Sequence, residues 1–232
     1  MNLKIQELSF SLFAKELSPG TIHPAILQYL GIIPVQWELI ESPIYSDREV
    51  KLVFMNQVSL MIQPNRIIFA ETIEHKRLNE VQVPNIVTTY SRIFSNINYQ
   101  EISISPSGYV AFNSDIEASQ YMKQNLLPSS PWKTFGNRSM NTMGLKLAYP
   151  YESGNFYLDI NQANVEVLNQ VIPAVWFVGN FNYQLTDDHN AQKLVTLQSL
   201  IQQWKTDVTK FGNFIGKKFL ASSKVPAVIS NQ

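Results

Sequence analysis

Residues 174–185, AVWFVGNFNYQL, constrain the fold more than any other stretch of the chain. Val175, Phe177, Phe181, Tyr183 and Leu185 share one parity, Asn180, Asn182 and Gln184 share the other, and Trp176 and Val178 make the start apolar on both sides. Successive strand side chains point to opposite faces. The segment therefore predicts a strand buried on one side throughout and on both sides where it begins. Such alternation suits an antiparallel sheet with one wet face, and something apolar must cover the other face.

The next segment can supply that cover. Leu194, Leu197, Ile201, Trp204, Val208, Phe211 and Ile215 recur at spacings of three and four, which is one stripe of an amphipathic helix. It is predicted as the longest helix, capped at its start by Thr186-Asp187. Upstream, Met143, Leu145, Leu147 and Tyr149 alternate, Ser153-Gly154 turns the chain, and Phe156, Leu158 and Ile160 alternate back, a hairpin pattern. A short apolar segment, Val165 to Leu168, follows it.

The remaining segments fall into a repeated order. Leu3 and Ile5 share one face, and Leu8, Phe10 and Leu12 share one displaced by a residue, predicting a strand with a bulge near Glu7. Ser18-Pro19-Gly20 is read as a turn, and Thr21 precedes a short helix with Pro24 in its first turn and Gly31 after its end. Val35–Ile40, Val50–Met55, Val58–Ile62 and Arg66–Ala70 read as a four-strand meander, and Pro84 opens a helix through Ile97. Ile102 and Ile104 then start a second strand, with Pro106-Ser107-Gly108 as a turn or bulge before Tyr109–Phe112. A helix capped by Asp115 follows and stops at Pro128 and the Ser129-Ser130-Pro131 loop.

Both parts read strand, helix, antiparallel strands, helix. The expectation is an α+β protein of two pseudo-repeated halves, residues 1–98 and 99–232, forming one compact unit with a large antiparallel sheet and helices on one face. This element order resembles a duplicated TATA-binding-protein-like fold, which implies a continuous curved sheet. The runs VKLVFMNQVSLMIQPNRIIF, EISISPSGYVAF and FYLDINQANV resemble a sporadically distributed family of uncharacterised prokaryotic proteins of about this length, a resemblance that implies no activity.

Composition narrows the chemistry. The chain has 232 residues, no cysteine and a formal net charge of zero, which removes disulfides, thiolate metal sites and a Cys nucleophile and disfavours a dedicated nucleic-acid binder. No apolar run reaches the roughly 18 residues of a membrane span, and no signal-peptide pattern opens the chain, so a cytoplasmic location is expected. There is no glycine-rich phosphate loop, Gly-x-Ser-x-Gly elbow or His-Glu-x-x-His motif, and no cofactor is implied.

The candidate chemical residues are few. His23, before Pro24, reads as a surface or capping residue, and His75 lies in a charged loop. Asp187-Asp188-His189 could bind a metal or shuttle a proton, but at a helix start the carboxylates are better explained as caps. Glu38, Glu41, Asp159 and Glu166 could pair across a sheet. Residues 201–232 carry five lysines against Asp207 alone, and with Gly212 and Gly216 expected to weaken the helix end, Lys217, Lys218, Phe219 and Leu220 are the candidate partner-binding residues. The functional expectation is a non-catalytic protein-interaction or ligand-binding module, with a protein partner or self-association. A small-molecule hydrolase using carboxylates, with or without His189, is the alternative, and nucleic-acid binding through the sheet face is the third reading.

Overall fold

The computed structural model describes residues 1–15, 17, 22–46, 48–127, 133–140, 142–151, 154–167, 170–187 and 189–221. Strand β1 (Lys4–Ala14) buries Leu8, Phe10, Leu12 and Ala14 on one side. Leu3 and Ile5, of opposite parity, pack against the same core. A bulge reconciles the two: Ile5 pairs with Gly108 and Glu7 with Ser107, leaving Gln6 as the extra residue. One inserted residue shifts the alternation by one, as the apolar pattern predicts.

Helix α1 (Pro24–Tyr29) begins at His23, whose Nδ1 accepts from the Ala25 N–H at 3.2 Å. The chain turns after it at Gly31, where φ is +65°, a conformation that favours glycine. The predicted Ser18-Pro19-Gly20 turn and Thr21 lie outside the described residues. Val35–Ile40 is not the strand expected. Its Trp37 N–H closes a turn onto the Pro34 carbonyl, Val35 and Ile40 face outward, and only a single bridge joins Leu39 to Phe54. The edge strand is instead β2 (Ile44–Tyr45), followed by β3 (Val50–Val53), β4 (Val58–Gln63) and β5 (Arg66–Thr72).

Helix α2 (Val83–Ile93) has Pro84 in its first turn, and the next strand, β6 (Tyr99–Ala111), runs unbroken through Pro106-Ser107-Gly108. The irregularity there belongs to β1, which the bulge brings so close that a Cβ on Gly108 would sit 2.3 Å from the Lys4 carbonyl oxygen. Helix α3 (Asp115–Asn125) is capped by Ser114, whose hydroxyl accepts from the Glu117 N–H, so the cap is one residue earlier than Asp115. The stop at Pro128 and the Ser129-Ser130-Pro131 loop falls outside the described residues.

A small hairpin, β7 (Thr134–Phe135) with β8 (Arg138–Ser139), precedes β9 (Gly144–Tyr151), β10 (Gly154–Val167) and β11 (Gln170–Gln184). The β9–β10 hairpin follows the predicted alternation, although Ser153 lies outside the described residues. Gly154 belongs to β10, where a Cβ would meet the Asn182 carbonyl oxygen at 1.8 Å. Val165 and Val167 do not form a separate element but extend β10 alongside Ile172 and Gln170, and Leu168 is outside the described residues.

The long helical stripe divides into α4 (Asn190–Gln202) and α5 (Trp204–Ile215), separated by Gln203 at φ −82°, ψ 2°. A strict three-four repeat drifts by about 20° per heptad around a straight helix. The break at Gln203 lets α4 pack on α2 and β6 while α5 packs on β6. A π-helical turn, Gly216–Leu220, continues directly from α5. None of the described helices is long and apolar enough to cross a membrane.

Nine strands form one antiparallel sheet in the order β2-β3-β4-β5-β1-β6-β11-β10-β9. The fold is thus α+β. Each part of the chain places its first strand, β1 or β6, at the centre, and these two pair with one another. A single apolar core joins the helices to the sheet face bearing Leu8, Phe10, Ile67, Phe69, Ile102, Ile104, Phe177 and Phe181. No described helix covers the opposite face.

Candidate site on the uncovered face of the sheet

The parity that directs Leu8, Phe10 and Leu12 into the core directs Glu7, Ser9 and Ser11 to the uncovered face. The pairing aligns them with β6 and β11. Glu7 faces Ser107, Ser9 faces Ser105 and Ser11 faces Ser103, while Ser107 faces Val178 and Ser103 faces Asn182. The centre of the sheet therefore carries a belt of short polar side chains. Their small size leaves the backbone close to the surface.

One end of the belt is internally satisfied. Glu101 accepts from Asn182 Nδ2 at 2.6 Å and also from Gln184 Nε2, and Asn182 Nδ2 lies 3.3 Å from Ser103 Oγ. The other end is aromatic. Trp176 stacks on Tyr109 at 6.1 Å with rings nearly parallel, and Lys4 lies over the Tyr109 ring. The Tyr109 hydroxyl donates to Glu74 at 2.8 Å. Burial, reinforced by that hydrogen bond and the Glu74 charge, pushes the Tyr109 phenol up to about 12.

Between these ends the hydrogen bonding is incomplete. Ser107 is 5% exposed, and its Oγ has no partner. Asn180 Oδ1, two residues along β11 from Val178, is also buried without one, as is Gln6 Oε1 in the bulge. Burial holds the Glu7 carboxyl above the usual carboxylate range. Ion pairs among the described residues engage Glu71, Glu74, Glu80 and Asp159 and leave Glu7 aside. Buried polar groups are nearly always paired, so these acceptors on three adjacent central strands are an exception that needs a donor. No cavity described in the structure includes Glu7, Ser107 or Asn180.

Two other buried carboxylates are fully engaged and serve the fold. Glu71 accepts from the Gln82 and Val83 N–H groups, both at 2.7 Å, and pairs with Lys76 at 2.8 Å. Asp207, 1% exposed, accepts from the hydroxyls of Tyr151 at 3.2 Å and Tyr183 at 3.0 Å. Burial, followed by the Asp207 charge, raises the Tyr183 phenol. Lys210 donates to the Tyr151 hydroxyl, and the cluster joins α5 to β9 and β11.

The sequence candidates lie elsewhere. Asp187 accepts from the Thr196 hydroxyl at 2.9 Å instead of capping a backbone N–H, and His189, the N-cap residue of α4, makes no side-chain capping bond. Asp188 is outside the described residues. Glu38 and Glu41 lie between α1 and β2, whereas Asp159 and Glu166 lie on β10 near the far edge, so the sheet separates the two pairs. Asp159 is 3.7 Å from Lys146. No group of three or more His, Asp or Glu among the described residues could hold a metal ion.

At the C-terminal end, Lys217 and Lys218 are exposed, but Leu220 is buried and Phe219 packs edge-on against Phe177 and Phe214. The Phe219 carbonyl also accepts from the Tyr121 hydroxyl at 2.9 Å. The expected weakening at Gly212 and Gly216 does not detach this segment, because its aromatic and backbone contacts hold it to the core. Sequence reading missed Glu7, Ser107 and Asn180. Strand parity placed polar residues on a second face, but only the pairing of β1, β6 and β11 gathers them. No protein-family model matches the chain, and no curated protein matches it.

Proposed function

We propose that this protein is a non-catalytic binding module whose binding surface is the uncovered face of the sheet, and whose partner is another protein. The observation that carries the reading is that no described helix covers this face, whose centre is a belt of short side chains, Ser9, Ser11, Ser103 and Ser105, beside the desolvated Glu7. The clefts beside His75, Asn161, Trp37 and Gly212 do not reach Glu7, Ser9 or Ser105, which favours a macromolecule, since small-ligand sites bury most of their ligand. Carboxylates at Glu7 and, at one end of the belt, Glu101 make the face poorly suited to a phosphate backbone. The order β5-β1-β6-β11, with each part's first strand at the centre, supports reading the chain as a duplication.

A photo-crosslinking residue at Ser9 or Ser105, compared with one at Asn213 on the exposed side of α5, tests the reading in the source cell. A discrete protein adduct from the sheet positions and none from Asn213 is the expected result. Equal labelling from both, or no adduct from either sheet position, would sink it.

A further inference from the structure

Beyond the binding face, and independently of it, we infer that the cleft between the start of β1, the 73–78 loop and α5 binds a small aliphatic α-amino acid of the leucine type. The bulge in β1 gives this cleft its two kinds of wall. The extra residue at Gln6 lets Leu3 and Ile5 pack against the core, while Lys4 lies over the Tyr109 ring on the other face. The loop is fixed to the same bulge. The Ile73 N–H donates to the Gln6 carbonyl at 2.7 Å, and the Lys76 N–H closes a turn onto the Ile73 carbonyl at 3.0 Å. Leu3, Ile5, Ile73, Leu78 and Val208 line a space of about 400 Å³ together with Lys4, Glu74, His75 and Lys76. That volume suits a small molecule, whose sites run from roughly 300 to 1,000 Å³.

The charged groups narrow the class of ligand. Lys76 is engaged by the chain itself, donating to Glu71 at 2.8 Å and to the Asn56 carbonyl at 3.1 Å. Lys4 and Glu74 are not closed on one another. They lie 3.9 Å apart, too far for a hydrogen bond, and Lys4 is half exposed. The Glu74 side chain is 12% exposed, and both the Tyr109 hydroxyl and Lys4 approach its Oε1. A carboxylate has about four acceptor sites, so Oε2 can still accept.

A ligand with only a carboxylate would meet the Glu74 charge uncompensated, and one with only an ammonium would meet Lys4. A zwitterion satisfies both, its ammonium on Glu74 and its carboxylate on Lys4 with the exposed His75 beside it. An α-amino acid carries its two charges on a single carbon, a spacing that suits partners only 3.9 Å apart. Its aliphatic side chain would cover the apolar wall, where Leu78 is 39% exposed.

L-Leucine is titrated onto the full chain by calorimetry, beside isocaproate, which lacks the ammonium, isopentylamine, which lacks the carboxylate, and glycine, which lacks the side chain. Leucine is expected to bind saturably. Each of the other three should bind about tenfold or more weakly, the scale of one lost charge-assisted hydrogen bond or of the lost apolar contact. In Glu74→Gln, which keeps an acceptor for Tyr109, leucine should lose its advantage over isocaproate. In Lys4→Gln it should lose its advantage over isopentylamine. Lys146→Gln, on β9 four strands from β1, should leave leucine binding unchanged.

Lack of saturable leucine binding would overturn the inference, as would wild-type affinity for isocaproate, isopentylamine or glycine equal to that for leucine. These comparisons use the wild-type chain, so they decide the matter even where a variant fails to fold. An equal loss from Lys146→Gln, or a loss in Glu74→Gln that is the same for leucine and isocaproate, would also reject the site. Crosslinking from Ser9 and Ser105 reports on the sheet face alone, so its failure would leave leucine binding untouched.

Discussion

Replacing Glu71 with alanine should destabilise the protein far more than a typical single substitution. Glu71 is fully buried at the end of β5, and α2 has no capping side chain of its own, because its N-cap residue Gln82 makes no such bond. The Glu71 carboxylate does that work from another element, accepting both the Gln82 and Val83 N–H groups at 2.7 Å. Hydrogen bonds to a charged group contribute about 1.5–3 kcal/mol each, so two give about 3–6 kcal/mol. Breaking a buried ion pair independently suggests about 3–5 kcal/mol, and Lys76 would lose its partner at 2.8 Å. A loss of about 4 kcal/mol corresponds to a fall in Tm of about 8–16 °C for a chain of this size.

Urea unfolding followed by tryptophan fluorescence measures the loss, and amide exchange at Gln82 and Val83 measures its location. Glu71→Gln keeps an acceptor for the helix N–H groups but not the charge, so it should lose less than alanine does. A Glu71→Ala loss below about 1 kcal/mol, or unchanged exchange at Gln82 and Val83, would refute the assignment of this carboxylate as the α2 cap.

Five further substitutions probe the packing and the buried acid. Gly154→Ala should cost about 1–3 kcal/mol through overpacking, since its Cβ would lie 1.8 Å from the Asn182 carbonyl oxygen. Gly216→Ala, with helical φ and ψ and open space around it, should gain up to about 1 kcal/mol, and both are checked by chemical denaturation. Because burial raises Glu7 above its unfolded value of 4.5, its favourable contribution is complete below that pH and lost as pH rises through the folded value. Glu7→Gln should accordingly gain on the wild type between acid and neutral pH, and parallel pH–stability curves would contradict this. Phe219→Ala should lose about 1–3 kcal/mol, since Phe219 is half-buried against Phe177 and Phe214. Lys217→Ala should stay within about 0.5 kcal/mol by the same assay.

Much of the framework was legible because local periodicity reports it directly. The alternation around Phe177, Phe181 and Tyr183 identified β11, the displaced alternation between Ile5 and Leu8 located the bulge, and Tyr149 with Phe156 marked the β9–β10 hairpin. Misreadings arose where a local signal fits two structures. Val35–Ile40 is apolar enough for a strand but closes a turn beside Pro34. The stripe from Leu194 to Ile215 reads as one helix although Gln203 interrupts it, because a break of one residue hardly changes the spacing.

The sequence by itself determined which side chains of each strand share a face, since pleating makes side-chain direction a function of parity. Only the tertiary structure decided which strands are neighbours, because hydrogen-bonded pairing joins residues about a hundred positions apart, as in Glu7 with Ser107. That pairing gathers Glu7, Ser107 and Asn180 on the uncovered face, while the packing of α5 on the sheet brings Asp207 to Tyr151 and Tyr183. A polar residue on a strand is ordinary in sequence. Whether it is left without a donor depends on every neighbour that folding brings around it.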